Sequence, residues 1–186
     1  MESPLAAPSV PLIETPRLRL RGHRLDDLAA SAAMWADPAV IRYISDRLLT
    51  EEEAWARILR HVGHWTLLGF GYWVVEEKSR AKFVGELGFA ELKRGLHPSI
   101  DGMPEIGWVL TSDVHGKGYA TEAAQAAIDW GEGQFGAIRT CCIIHPENLT
   151  SIRVAEKCGY RKLRITRYRR EPAILFTREP AASASA

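Results

Sequence analysis

The spacing of apolar positions changes period several times along the chain, and the changes predict alternating strands and helices with no internal repeat. Residues 15–23 read as a first strand and 26–35 as a helix. Residues 50–68 predict a second helix, with Thr50 as N-cap and Glu53 completing a capping box. Residues 72–77 and 82–92 predict an antiparallel pair across a turn at 78–81. The segment 93–103, punctuated by Gly95, Pro98 and Gly102, reads as a loop beside the strand over 105–111 that should flank the active site, a plain surface loop first and a substrate-facing one as the alternative. In 118–135, Ala120, Ala123, Ala124, Ala127 and Ile128 recur at helical spacing, and their small size lets that helix approach a sheet closely. A strand over 139–144, a short helix after Asn148 and two final strands containing Tyr168 and residues 173–177 complete the pattern. The basic run 161–170 reads as a solvated edge strand, with contact to a phosphate or an acidic partner as the alternative. The expectation is one domain over 13–179, with a loose Pro- and Ala-rich segment at 1–12 and a disordered one at 180–186.

Composition narrows the class. A chain of 186 residues builds one sizeable core, and 46% hydrophobic with 25% charged residues is ordinary for a soluble globular protein. A net charge of +1 gives no drive toward nucleic acid, and no apolar run is long enough to span a bilayer. Three cysteines without framework spacing point to a reducing, cytoplasmic setting and to buried small apolar roles. Cys141 and Cys142, adjacent on a predicted strand, face opposite sides of it. His61 and His64 share one helix face; without a third ligand they read as a solvated pair, and no metal is expected.

The chemistry concentrates at Val114-His115-Gly116-Lys117-Gly118-Tyr119-Ala120, where a strand ends and a helix begins. Glycines at 116 and 118 let the backbone turn with its N–H groups bare, and the helix N-terminus adds unpaired donors and the positive end of its dipole. Such a cradle suits a phosphate or pyrophosphate. A P-loop would need Gly-Lys-Ser/Thr, but Gly118 follows Lys117; a dinucleotide fingerprint would need glycine where Thr121 stands. A third loop of this type grips the pyrophosphate of coenzyme A, and the preceding strand over 105–111 suits it; an ordinary Gly-rich turn is the alternative. A second motif begins at Asn148, a good N-cap, continues through the apolar stripe Leu149, Ile152 and Ala155, and ends at Gly159-Tyr160. Gly107 inside a strand pattern suggests a bulge that would splay its strand from the next parallel one.

With these two motifs, the chain resembles the GCN5-related N-acetyltransferase (GNAT) superfamily over about residues 13–177, and its opening Glu14-Thr15-Pro16-Arg17-Leu18-Arg19-Leu20-Arg21 resembles the subgroup of ribosomal-protein N-terminal alanine acetyltransferases. The resemblance implies a mixed α/β fold: a mostly antiparallel sheet of about seven strands flanked by helices, with splayed parallel strands around acetyl-CoA. It also implies cofactor contacts from Val109, Leu110, His115, Gly116, Lys117, Gly118, Tyr119, Ala120, Asn148 and Ser151, with the thioester near Trp108 to Leu110. Two positions depart from the superfamily's pattern. His115 replaces the usual Gln or Arg, and Ala155 stands where many members carry a Tyr that protonates the leaving thiolate. In the subgroup that acid role maps onto Ser151.

Amine attack needs a neutral amine and, for poorly neutralised ones, a base. Glu105 is the first candidate base and Glu86 the alternative. The expected activity is acetyl transfer from acetyl-CoA to a primary amine, at a protein N-terminus or on a small molecule such as an amino acid, polyamine or aminoglycoside. A non-catalytic acyl-CoA sensor is the alternative from another class, and neither a monomer nor a homodimer is singled out.

Overall fold

The computed structural model describes residues 10–97 and 99–180. Its eight-stranded sheet runs β1 (Ile13–Glu14), β2 (Leu18–Arg21), β3 (Tyr72–Glu77), β4 (Lys82–Ala90), β5 (Glu105–Leu110), β6 (Thr140–Ile144), β8 (Glu171–Arg178), β7 (Arg161–Tyr168). Every neighbouring pair is antiparallel except β5 with β6. Helices α1 (Leu28–Trp35), α2 (Pro38–Ile41) and α3 (Glu51–Leu68) accompany one face, and α4 (Tyr119–Phe135) with α5 (Leu149–Lys157) the other. Strand alternation produces this division: Val74 joins Met34, Trp35 and Ala54 on the α1 side, while Trp73 and Val75 join Ala123, Ala127 and Ile128 on the α4 side. Truncating a fully buried residue such as Leu87 to alanine would cost about 2–5 kcal/mol.

The ends of the elements follow local chemistry. At α3, the Thr50 hydroxyl accepts from the Glu53 backbone while Glu53 returns a bond to the Thr50 N–H, and Gly69 closes the helix with φ 73°. The first strand is cut in two, because Thr15 Oγ1 and its backbone N–H fold back on the Leu18 carbonyl between β1 and β2. The expected loose segment ends earlier than residue 12: Val10 packs against the core and Trp73 Nε1 donates to the Pro11 carbonyl at 2.9 Å. The rest of that segment, 1–9, and the expected disorder at 181–186 lie outside the described residues.

Strand β7 is the sheet's edge and is largely exposed, as its basic composition suggests. It turns into β8 through two residues only, Arg169 at φ 50° and Arg170 at φ 72°. Left-handed conformations at both turn positions normally select Asn or Gly, so each arginine carries a cost on the order of 1 kcal/mol.

Two expectations change. The segment 93–103 is not a plain surface loop: Leu96 and Ile100 are buried against Cys141 and Leu175, and Thr166 Oγ1 donates to the His97 carbonyl. Gly107 forms no bulge, since β4 and β5 stay in register from Gly85 opposite Leu110 to Ala90 opposite Glu105. Irregularities lie elsewhere: Val75 pairs with Gly85 and Glu76 with Phe83, which leaves Val84 as an extra residue on β4, and Leu163 is left over in the same way on β7. Gly107 is glycine for a different reason: Tyr72 reaches across from β3, and a Cβ at 107 would stand 2.0 Å from its hydroxyl oxygen.

Candidate active site

The expected splay is present without the bulge. Strands β5 and β6 share a single paired position, Glu105 opposite Cys141, with Cys141 N–H donating to the Pro104 carbonyl at 3.1 Å. Beyond it the strands part, and a cleft of about 620 Å³ opens between β5, the loop before α4 and the start of α5. That size suits a cofactor arm. Trp108, Val109, Leu110, His115, Gly116 and Gly118 line it on one side, with Tyr119 and Ala120 at the head of α4. Gly116 at φ 77° and Gly118 at φ 79° take the left-handed conformation their sequence implied, and Gly118 is the N-cap of α4. The donors of that helix end therefore face an anion-sized space, which fits the pyrophosphate of coenzyme A.

The side chains of this loop serve the loop itself. His115 Nε2 donates to the Leu110 carbonyl at 3.0 Å, tying the cradle to β5. Tyr119 donates to Glu77 at 2.6 Å, with the Arg17 guanidinium 4.7 Å from its ring centre. Lys117 does not line the cleft; its carbonyl accepts from Arg17 Nη1 at 2.9 Å. Arg153 and Lys157 do line it, from exposed positions on α5 that carried no motif signal.

Across the cleft, Asn148 Oδ1 accepts from Ser151 N–H at 3.1 Å, so Asn148 caps α5. Ser151 Oγ in turn accepts from Trp108 Nε1 at 3.3 Å, bridging the splayed strand to the facing helix. Both residues also line a second cavity of about 300 Å³ that adjoins the cleft on the α3 side of the sheet. Tyr72, Arg94, Glu105, Gly107 and Trp108 form its floor, and His61 and Arg57 reach it from α3. The two cavities meet at Trp108, Val109 and Ser151, the place expected for the thioester.

Both candidate bases are engaged. Glu105 accepts two bonds from Arg94, Nε at 2.6 Å and Nη2 at 2.8 Å, and Arg94 itself lies 4.5 Å from the Tyr168 ring centre. Glu86 is fully buried, directly opposite Val109 on the neighbouring strand. It accepts from Ser31 Oγ at 2.7 Å and Trp35 Nε1 at 3.3 Å, with His23 Nε2 and His61 Nε2 at 3.6 and 3.7 Å. Burial alone would raise the Glu86 carboxyl, but the two imidazoles beside it hold it well below the usual range.

The solvated reading of the histidine pair is wrong for His61, which is buried, stacks on Tyr72 with ring centres 4.5 Å apart and on His23 at 5.1 Å. Burial pushes its pKa down to about 4, so at neutral pH its contact with Glu86 is polar rather than ionic. His64 turns instead to the carbonyls of Arg60 and Glu91. The partners of His61 are therefore His23 and Glu86; together the three offer one potential ligand atom each within 4.8 Å of one another, a set compatible with a divalent ion. Nothing in the sequence joined residues 23, 61 and 86, because they lie on a loop, a helix and a strand far apart in the chain. Tyr72 was missed for the same reason. Burial raises its pKa, and the neighbouring Glu105 carboxylate adds to that effect.

The likeness to known proteins agrees with this geometry. The acetyltransferase (GNAT) domain model matches residues 17–161. The chain is 31% identical over 150 residues to the uncharacterized N-acetyltransferase YnaD of Bacillus subtilis, covering 81% of this chain and 82% of that one. It is 32% identical over 171 residues to the uncharacterized protein YkkB of the same organism, covering 89% and 94%. Among solved structures, a GnaT-family acetyltransferase from Bordetella pertussis superposes with TM-score 0.79 at 27% identity, covering 91% of this chain and 99% of that one. A ribosomal-protein-S5-alanine acetyltransferase from Vibrio fischeri shares the fold with TM-score 0.74 at 21% identity, covering 92% and 97%. Among the described residues no helix is long and apolar enough to cross a membrane. The cradle at Gly116 and Gly118, the parted strands and these likenesses lead to one conclusion: the chain belongs to the GNAT family of N-acetyltransferases.

Proposed function

We propose that this enzyme transfers the acetyl group of acetyl-CoA to an α-amino group, at the N-terminus of a peptide or protein. One observation carries the reading: neither candidate carboxylate is free, Glu105 on the wall of the second cavity being doubly bonded to Arg94 and Glu86 lying sealed beneath Trp35 and Ser31. With no unpaired carboxylate to remove a proton, the site favours amines that are already partly neutral. An α-amine with pKa near ~8 meets that condition, whereas a lysine amine near ~10.4 is almost wholly protonated. The likeness of fold to ribosomal-protein acetyltransferases is compatible with an N-terminal acceptor. Arginines around the cavity oppose the polyamine and aminoglycoside alternatives, which are polycations.

In this reading the thioester supplies the activated acyl carbon, and the chain's own groups do the rest. The edge of β5 beyond Glu105, free of β6, offers backbone N–H groups to the carbonyl oxygen as negative charge grows there. The amine nitrogen bonds to the acyl carbon, the carbon–sulfur bond breaks, and the amine's surplus proton passes to water in the open cavity. Ser151 Oγ, held by Trp108, stands to hydrogen-bond the departing sulfur and relay a proton to it, the role that Ala155 cannot fill. The test is acetylation of a peptide with a free N-terminus and one internal lysine, with the modified nitrogen located by mass spectrometry. Acetyl on the α-nitrogen supports the reading; acetyl confined to lysine, or to polyamines, removes it.

A further inference from the structure

Three arginines converge at the second cavity, which in the α-amine reading receives the acceptor and is therefore the acceptor cavity. Arg57 and Arg60 stand one turn apart on α3, and Arg169 comes from the tip of the β7–β8 hairpin; all three line both the acceptor cavity and a shallower pocket next to it. They come from two elements far apart in sequence, and Arg169 is held there in a left-handed conformation, at φ 50°. None of the three forms an ion pair among the described residues. The acidic groups nearby are committed elsewhere or stand apart: Glu105 is taken by Arg94, Glu53 by Arg47, Glu86 lies behind Trp35, and Asp46, on the rim of the shallower pocket, pairs with none of them.

The Arg57 guanidinium sits 3.9 Å from the centre of the Trp35 ring, an aromatic platform that fixes its direction without neutralising it. Burial lowers its pKa and the like charge of Arg60 adds to that, with a smaller contribution from Arg169, while the Glu86 carboxylate behind Trp35 offsets part of the effect. Like-charged groups gathered without a paired counter-charge repel one another, and an anion placed among them relieves that repulsion. Guanidinium groups recognise carboxylate and phosphate through paired N–H donors.

Building on the α-amine reading, we infer that Arg57, Arg60 and Arg169 form an anion-binding subsite that selects acceptors carrying a carboxylate close to the reacting amine. That carboxylate has two sources, the α-carboxylate of a free amino acid or an Asp or Glu side chain just after the first residue of a peptide. The same arrangement rejects polycationic amines.

The test uses the intact protein with two matched pairs of acceptors: alanine against alaninamide, and Ala-Glu-amide against Ala-Gln-amide. Rates, each referred to the neutral fraction of the amine because the amine of free alanine is more basic than that of alaninamide, are measured beside calorimetric binding of the same four compounds, and the variant is the double Arg60→Gln, Arg169→Gln, both at exposed positions. Arg57 is left in place because it packs on Trp35. The expected result is a preference of about tenfold or more for the charged member of one pair, falling to near unity in the double variant and restored by Arg60→Lys, Arg169→Lys. The affinity for acetyl-CoA should stay unchanged. Preference within the first pair assigns the subsite to amino acids, and within the second to acidic N-termini. Equal use of charged and neutral acceptors by the wild type, or a preference untouched by the double variant, overturns the inference while leaving α-amine acetylation intact. If no acceptor is acetylated, the α-amine reading fails, and the binding data still decide the subsite: selective binding of the charged compounds upholds it, and equal binding overturns it.

Discussion

The Tyr72 hydroxyl occupies the space that a side chain at residue 107 would need, so Gly107 and Tyr72 define the floor of the second cavity together. Tyr72 cannot simply swing aside, because its ring stacks on the buried His61. Gly107→Ala should cost about 1–3 kcal/mol by overpacking and raise the acceptor KM. Adding Tyr72→Phe removes the clashing oxygen and should recover at least half of the lost stability. Urea unfolding of the two single variants and the double measures the coupling; strictly additive losses would show that this contact is not the constraint.

Gly118 combines φ 79° with a place at the head of α4. Gly118→Trp should abolish the thermal stabilisation that acetyl-CoA confers, beyond the loss of about 1 kcal/mol or more that any side chain incurs in this conformation. Full stabilisation by acetyl-CoA in that variant would refute the pyrophosphate cradle.

Asn148 has one visible role, capping α5. Asn148→Ala should lose about 1 kcal/mol, and Asn148→Ser should keep most of it. If Asn148 also binds the pantetheine arm, both variants lose acetyl-CoA affinity; an effect seen with alanine alone would return the residue to capping.

Because Glu105 is locked to Arg94, Glu105→Gln should lower turnover by disturbing Arg94 and the segment around Leu96 and Ile100, not by removing a base. The acid limb of the pH profile of kcat/KM would then keep its midpoint. Disappearance of that limb would restore Glu105 as the proton acceptor.

Burial pushes the Cys141 thiol up to about 12 and the Cys158 thiol up to about 11, from an ordinary value of 9.0. The unfolded chain releases these protons near pH 9 and the folded chain only later, so stability should fall as pH rises from 9 toward 11 to 12. Cys141→Ala and Cys158→Ala should flatten that slope. A disulfide reagent at pH 8 should label no thiol until the protein unfolds, since Cys141, Cys142 and Cys158 are all buried.

Sequence showed what is local. The capping box at Thr50 and Glu53, the glycines before α4, the cap at Asn148 and the opposite-facing Cys141 and Cys142 depend on neighbours within a turn or two, and the structure has each of them. The acceptor side was not legible, because its floor and mouth are assembled from β3, β5, α3 and the β7–β8 hairpin. Glu105 looked like a free base until Arg94, eleven residues earlier on a segment read as surface loop, proved to hold it. His61 was paired with the wrong histidine because helical spacing brings His64 near in sequence while the fold brings His23 near in space. Gly107 was read correctly as special and wrongly as a bulge, since a glycine signals close approach without naming what approaches.

The single rung between Glu105 and Cys141 leaves the sheet as two leaves joined by one stitch, β1 to β5 on one side and β6 to β8 on the other. A substrate that threaded between them would work as mortar as well as reactant, adding along β5 the pairing the chain itself withholds, to a core that already spans both leaves. Exchange at those amides of 107–110 that do not pair with β4 should therefore be fast in the empty protein and slow once acetyl-CoA is bound, while the β4-paired amides change little, and the release of product would loosen the seam again at every turnover.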